Sequence, residues 1–300
     1  MKSLVTGGAG FIGSNLVDKL VQMNHEVIVL DNLSTGKLSN LKKNKNKIKF
    51  FKLDILNKKK NINKYFKNVK WVFHMAGKAN MIQSISNPIS YFDTNVVGTL
   101  NVLEASKKAK VKKFIYAASA SCYGNPNKFP TKESCNINPQ NPYALTKHLG
   151  EQLVMNWAKI YSMPNISLRF FNIYGPKSTS DYGAVFSVFL NQKEKKKPLT
   201  VTGDGKQTRD FLHVSDLANA MIVIAKNKKN GEIYNLGSGL ETSINSVARL
   251  VGGPKVFVRK RKEETNRSLA DISKIKNHFN WRPKISLKKG IESLLKENNN

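Results

Sequence analysis

Lys2-Ser3-Leu4-Val5-Thr6-Gly7-Gly8-Ala9-Gly10-Phe11-Ile12-Gly13 opens the chain and decides how the rest is read. Lys2 to Thr6 reads as a short apolar strand, the glycines as a tight turn, and the residues beyond, through about Met23, as a helix. Glycines in such a turn let a pyrophosphate approach the backbone at the helix N-terminus, where free N–H groups and the helix dipole favour an anion. They fit two registers, Gly7-x-x-Gly10-x-x-Gly13 and Gly8-x-Gly10-x-x-Gly13. Tight turns also use glycine for steric reasons alone, so context has to decide. A second strand, Glu26 to Leu30, ends in Asp31, eighteen residues past Gly13. A carboxylate there accepts hydrogen bonds from a ribose 2′-hydroxyl and repels a 2′-phosphate, so the stretch points to NAD rather than NADP.

Working outward, strands and helices alternate. A third strand, Ile48 to Leu53, runs into Asp54-Ile55, where an adenine edge would lie; Asp54 could equally cap a helix. The strand Lys70 to Phe73 ends in His74-Met75-Ala76-Gly77, whose small residues permit close passage of a cofactor. His74 by itself reads as structural. A long helix is expected from about Ser84 to Lys108, carrying Asn95 amid apolar residues, and then a strand from Lys113 to Ala118 that leads into Ser119. In such an alternation ligands sit at the C-terminal ends of the strands, which places Ser119 to meet Tyr143 from the next helix, about Pro142 to Ser162. The strand Ile166 to Phe171 follows.

Beyond Asn172-Ile173-Tyr174-Gly175-Pro176 the pattern turns irregular, with a helix near Tyr182 to Gln192 and a glycine turn at Gly203-Asp204-Gly205. A helix at Ser215 to Ala225 and a strand at Glu232 to Leu236 rejoin the sheet. The expected fold is therefore α/β, a Rossmann-type doubly wound parallel sheet with a smaller discontinuous C-terminal substrate lobe. Residues 1–175 and about 210–238 form the first part, about 176–209 and 239–300 the second.

Within the helix, Tyr143 and Lys147 lie one turn apart on the same face. A free phenol titrates near 10, and bringing it to about 7 takes roughly 4 kcal/mol of interaction with the phenolate. A fixed Lys147 charge with a second cation beside it could supply that. Taken alone, a Tyr-x-x-x-Lys pair on a helix is common; its place downstream of the glycine turn gives it weight.

Three hundred residues, 40% of them hydrophobic, suffice for a large core. Met1 leads straight into an apolar strand without the parts of a secretory leader, and no apolar run approaches the roughly eighteen residues of a bilayer span, so a cytoplasmic protein is expected. Cys122 and Cys135 are the only cysteines and lack metal-ligand spacing, so no metal is expected. The formal charge of +30 raises the question of nucleic acid. The lysines, however, fall in short runs interleaved with asparagine and without aromatic neighbours for base stacking, so they read as solvated faces and no nucleic-acid partner is expected.

With Gly7 to Gly13, Asp31 to Gly36, Ser119, Tyr143-x-x-x-Lys147, Arg169-Phe170-Phe171-Asn172-Ile173-Tyr174-Gly175-Pro176, Gln207-Thr208-Arg209-Asp210-Phe211 and Ser268-Leu269-Ala270-Asp271 in view, nearly the whole chain resembles the extended short-chain dehydrogenase/reductases. Within them it looks like the NAD-dependent nucleotide-sugar epimerase/dehydratase family, nearest to the UDP-glucose 4-epimerases. The resemblance implies that Tyr143 is the catalytic base, that Lys147 binds the nicotinamide ribose and lowers the Tyr143 pKa, and that Ser119 bonds the sugar 4-hydroxyl. It implies NAD contacts from Gly7, Gly10, Phe11, Ile12, Gly13, Asp31, Asn32, Asp54, Ile55, Ala76, Asn95 and Phe171, besides Tyr143 and Lys147. Asn172, Arg209 and Arg261 would hold the nucleotide diphosphate of a UDP-sugar. Arg209 suits phosphate because a guanidinium binds its oxygens in pairs, although a salt bridge with Asp210 is the alternative.

Counted back from Ala270-Asp271, the resemblance also puts Ser268 at the family position where a tyrosine would close the space beside the sugar's C2 substituent, and a serine there implies room for an N-acetyl group; a plain surface-strand serine is the alternative. Two departures are visible. Ala120-Ser121-Cys122 stands where the family's dehydratases carry an Asp-Glu pair, which argues against 4,6-dehydration, and Glu263-Glu264 replaces the usual Gly-Asp near Arg261. The implied reaction is inversion at C4 of a UDP-hexose through a 4-keto intermediate, UDP-glucose to UDP-galactose or the N-acetylated pair. UDP-glucuronate 4-epimerase, UDP-glucuronate decarboxylase and a non-catalytic RNA-binding relative are the alternatives. The helices about Ser84 to Lys108 and Pro142 to Ser162 resemble the pair that forms a four-helix homodimer interface in the family.

Overall fold

The computed structural model of the chain describes residues 1–57, 61–179, 185–259 and 265–297. Strands β1 (Lys2–Thr6), β2 (Glu26–Asp31), β3 (Ile48–Lys52), β4 (Trp71–His74), β5 (Lys113–Ser119) and β6 (Asn165–Phe170) lie side by side in the order β3-β2-β1-β4-β5-β6. The chain then leaves through β7 (Asn172–Tyr174), β8 (Leu199–Thr202) and β9 (Thr208–His213) before β10 (Glu232–Leu236) returns against β6. Every pair in this seven-stranded sheet is parallel. The doubly wound Rossmann-type sheet is thus present.

Parallel strands are covered on both faces, which is why they read as unbroken apolar runs. Leu16, Val17, Leu20 and Leu217 pack on one face of the sheet, and Val102, Leu103, Phe114 and Val154 on the other. The strand order reverses between β1 and β4, and that reversal opens the crevice in which ligands of such sheets bind. Among the described residues, no helix is long and apolar enough to cross a membrane.

The lobe has its own core of Tyr174, Phe186, Phe189, Leu199, Phe211 and Val247. Two small sheets frame it: β11 (Glu241–Ser243) with β9 and β7, and β12 (Lys255–Val258) with β8. The division between the parts departs from the expected one. Tyr174 and Phe211 pack into the lobe, whereas Ile275, Phe279 and Trp281 join the cluster beneath the large sheet, with the helix Ser273–Phe279 against β10. The helix expected near Tyr182 is described from Val185 to Glu194; Tyr182 lies outside the described residues.

The helix expected over Ser84 to Lys108 is broken in two places. Pro88 starts a new helix, and Asn87 caps it by accepting from the Ser90 N–H, while the preceding helix, Met81–Ser86, is capped by Asn80. Proline has no N–H to give to a preceding turn and its ring crowds the carbonyl four residues back, so it kinks or breaks a helix, and here the helix restarts at it. Asp93–Val97 then forms a π-helical turn before the regular helix Gly98–Lys108. Such turns displace one residue from the regular ladder, and here the displaced region carries Asn95.

Candidate active site

A cavity of about 1080 Å³ runs along the C-terminal ends of the sheet strands and into the lobe. Single-ligand pockets span roughly 300 to 1,000 Å³, so this one is at the top of that range. Gly7, Gly10, Phe11, Ile12 and Gly13 line its middle; Asp31, Asn32, Asp54 and Ile55 line one end. Ala76, Ser119, Tyr143, Phe171 and Asn172 follow, and Arg209 and Ser268 line the lobe end. Arg261, with Glu263 and Glu264, lies outside the described residues.

The glycine turn is shaped by contact. Gly7 has φ +67°, and a Cβ there would stand 2.6 Å from the Ala76 nitrogen; at Gly13 it would stand 2.2 Å from the Gly7 carbonyl oxygen. Neither site admits a side chain. Asp31, at the end of β2, accepts from the Ala9 N–H at 2.9 Å and the Leu33 N–H at 2.8 Å, so its carboxylate is locked beside the turn. Burial raises its pKa, and the two N–H bonds oppose that. A backbone cradle at a helix start with a fixed carboxylate at the next strand end fits the pyrophosphate and ribose of NAD. Asp54 accepts from Asn32 Nδ2 and the Leu56 N–H, both at 2.8 Å, so it shapes a turn as well as lining the cavity.

At the centre, Tyr143 Oη donates to Ser119 Oγ at 3.1 Å, and Ser121 Oγ donates to the same oxygen at 2.8 Å. Asn141 caps the helix Pro142–Tyr161 through the Ala144 N–H, with Pro142 as its first residue, so Tyr143 is held rigidly over the end of β5. Burial raises the Tyr143 pKa, with the bonds to Ser119 and Ser121 pulling the other way. Burial also pushes the Lys147 ammonium down to about 7, against the charge of Glu151. A lowered Tyr143 pKa, expected from Lys147, is therefore not a property of the protein alone, because desolvation dominates at both groups.

Two expected cofactor residues, Asn95 and Lys147, do not line the cavity. Asn95 is 1% exposed; its Oδ1 accepts from the Lys78 N–H at 2.8 Å, and its Nδ2 donates to the Lys78 carbonyl and to Thr146 Oγ1, both at 3.1 Å. It clamps the Lys78 loop to the Tyr143 helix. Lys147 sits behind Gly77, where a Cβ on Gly77 would lie 3.5 Å from its Nζ. His74, wholly buried, bridges Thr6 Oγ1 at 2.7 Å and Thr99 Oγ1 at 2.9 Å; burial pushes its pKa down to about 3, so it stays neutral and structural.

Glu151, one turn past Lys147, is 1% exposed and bonds Arg169 and Ser167. Burial works to raise its pKa, but the His148 ring 3.5 Å away, the bonds from Arg169 and Ser167 and the Arg169 charge hold it below the usual range. Arg209 and Asp210 point to opposite sides of β9. Asp210 accepts from the Ser238, Gly239 and Ala270 backbones inside the protein, while Arg209 lines the cavity and donates from Nη1 to the Thr208 carbonyl. The salt-bridge alternative for Arg209 does not form. Sequence reading passed over Ser121, Lys78 and Tyr91, which all line the cavity. Only Ser121 left a signal, as the second hydroxyl after Ser119 at the strand end.

Residues 3–237 match the NAD dependent epimerase/dehydratase family. A Methanocaldococcus jannaschii protein provisionally named UDP-glucose 4-epimerase is 39% identical over 99% of this chain and 99% of its own. Arabidopsis thaliana UDP-glucuronic acid decarboxylase 1 is 34% identical over 99% of this chain and 69% of its own. The structure of a Thermotoga maritima UDP-glucose 4-epimerase with UDP-glucose superposes with a TM-score of 0.93 at 32% identity, covering all of both chains.

Proposed function

We propose that this chain, which belongs to the NAD dependent epimerase/dehydratase family and has NAD as its cofactor, inverts C4 of a UDP-hexose, interconverting UDP-glucose with UDP-galactose and accepting the N-acetylated pair. The observation that carries the reading is the Tyr143 Oη to Ser119 Oγ bond inside the cavity, beside Ala120-Ser121-Cys122. With Ser119 that segment offers two hydroxyls, Ser119 and Ser121, and no carboxylate, so it can handle the proton of a hydroxyl but lacks the acid and base that eliminate water. NAD, when bound, would supply reversible hydride exchange with C4.

The chain's own groups do the rest. Ser119 holds the sugar 4-hydroxyl, and Tyr143 takes its proton and later gives it back. Charged Lys147 favours the phenolate from behind Gly77. The glycine turn, Phe11, Ile12, Asp31, Asn32, Asp54, Ile55, Ala76 and Phe171 hold the cofactor. Asn172 and Arg209 hold the substrate diphosphate, and Ser268 leaves space beside C2. A UDP-glucuronate 4-epimerase or decarboxylase is the second reading, favoured by Lys78, which lines the same cavity and offers a cation to a uronate carboxylate. Incubation of the purified protein with UDP-glucose, UDP-N-acetylglucosamine, UDP-glucuronate and their dTDP counterparts, with products identified by NMR, separates them. The reading predicts galacto products from the first two; xylose or galacturonate products alone would replace it with the second.

A further inference from the structure

We infer that Tyr116 is a positioning residue for Lys147: its ring face holds the Lys147 ammonium beneath the helix Pro142–Tyr161, directed at Gly77 and the cofactor cleft. The inference rests on the reading of Tyr143 and Lys147 as the proton-handling pair. Lys147 Nζ lies 4.4 Å from the centroid of the Tyr116 ring, and Tyr116 is 0% exposed in the middle of β5. The same side chain reaches past the ring to the helix backbone, where its hydroxyl donates to the Lys147 carbonyl at 3.3 Å. Helix and ring meet there because residue 150 is glycine: a Cβ on Gly150 would stand 2.3 Å from the Tyr116 hydroxyl oxygen. Ring and backbone contact together fix where Lys147 begins and where it ends.

The surroundings leave the ring as the close stabiliser of that charge. Among the described residues Lys147 forms no ion pair within 4.0 Å. Glu151 from the same helix faces it, but its oxygens are taken by Arg169 and Ser167. Tyr143 from the same helix is bonded to Ser119, and His74 from β4, whose ring is 5.6 Å from that of Tyr116, is neutral. A buried ammonium without a carboxylate partner is disfavoured by desolvation, and the negative face of an aromatic ring offsets that without adding a charge. With Lys147 already at about 7, loss of the ring face makes it shed its proton at lower pH.

The test compares Tyr116→Phe, which keeps the ring and loses the hydroxyl, with Tyr116→Leu, which loses both, by kcat and KM from pH 6 to 9 and by NAD binding calorimetry at pH 6 and 8. Activity that needs charged Lys147 falls as pH rises through its pKa. Tyr116→Leu should therefore move the alkaline limb of kcat down by about one unit, lower kcat by up to about tenfold at pH 8, leave KM within about threefold, and keep about half of the parental rate at pH 6. Its NAD affinity should weaken at pH 8 and not at pH 6, while Tyr116→Phe keeps the parent limb. A Tyr116→Leu profile with an unmoved limb, or equal losses of rate and NAD affinity at every pH, overturns the inference, since a merely structural defect has no reason to mend in acid. Tyr143→Phe run alongside separates the two readings: if it retains turnover, the proton-handling pair is wrong, whatever Tyr116 does.

Discussion

Ser119 Oγ takes a hydrogen bond from Tyr143 Oη at 3.1 Å although the two residues belong to different elements, the end of β5 and the first turn of the capped helix Pro142–Tyr161. A substrate hydroxyl placed between those oxygens meets both a holder and a proton acceptor. Tyr143→Phe removes one hydroxyl and little volume, so it should lower kcat by about 10² to 10⁴ while NAD content and UDP binding stay near parental values. Steady-state rates together with calorimetric UDP binding check this; turnover close to the parent's contradicts the role.

Asp31 is locked by the Ala9 and Leu33 N–H groups with its carboxylate on the cavity. A 2′-phosphate there would meet a fixed negative charge without a nearby guanidinium to offset it among the residues lining that end. NAD should bind at least tenfold more tightly than NADP in calorimetry on cofactor-stripped protein, each tenfold corresponding to about 1.4 kcal/mol. Equal affinities would remove the ribose reading of Asp31.

Ser268 lines the lobe end of the cavity, where its N–H donates to the Thr208 carbonyl at 3.2 Å and so fixes it beside Arg209. A large ring at that position fills space that a packed interior does not give back. Ser268→Tyr should lower kcat/KM for UDP-N-acetylglucosamine roughly tenfold or more and leave UDP-glucose within about threefold. An unchanged ratio, or a parent that rejects the N-acetylated sugar, argues for a plain strand serine.

Ile82, Ile85, Ile89 and Phe92 are exposed on the helices Met81–Ser86 and Pro88–Phe92, which pack against the helix Pro142–Tyr161 with its exposed Leu145, Ile160 and Tyr161. Large apolar side chains gathered on adjoining helices suit a self-complementary interface. Light scattering should give about twice the 33.7 kDa chain mass at micromolar concentration; a single-chain mass there means these helices do not pair copies.

Much of this was legible because it is local. The glycine turn, the alternating strands and the strand-end position of Ser119 depend on residues close in sequence. The break at Asn87-Pro88 was also written there, as a proline that kinks or breaks a helix, and the apolar periodicity around it masked the signal. Other features depend on distant partners. Asn95 reads as a cofactor ligand until Lys78 and Thr146 consume its amide, and the π-helical turn that delivers it has no sequence signature of its own. Arg209 and Asp210 look paired as neighbours, yet strand alternation sends them to opposite sides. Ile275, Phe279 and Trp281 follow the lobe in sequence and belong to the sheet in space, which only tertiary packing decides.

The measurement that tests the central claim most directly follows deuterium at C4 of UDP-[4-²H]galactose by NMR during reaction in ordinary water. If C4 is oxidised and then reduced by the same hydride while Tyr143 handles only the hydroxyl proton, UDP-glucose should form with its deuterium still at C4 and without net production of NADH. Formation of UDP-glucose bearing protium at C4, or no conversion at all by protein loaded with NAD, would contradict the account.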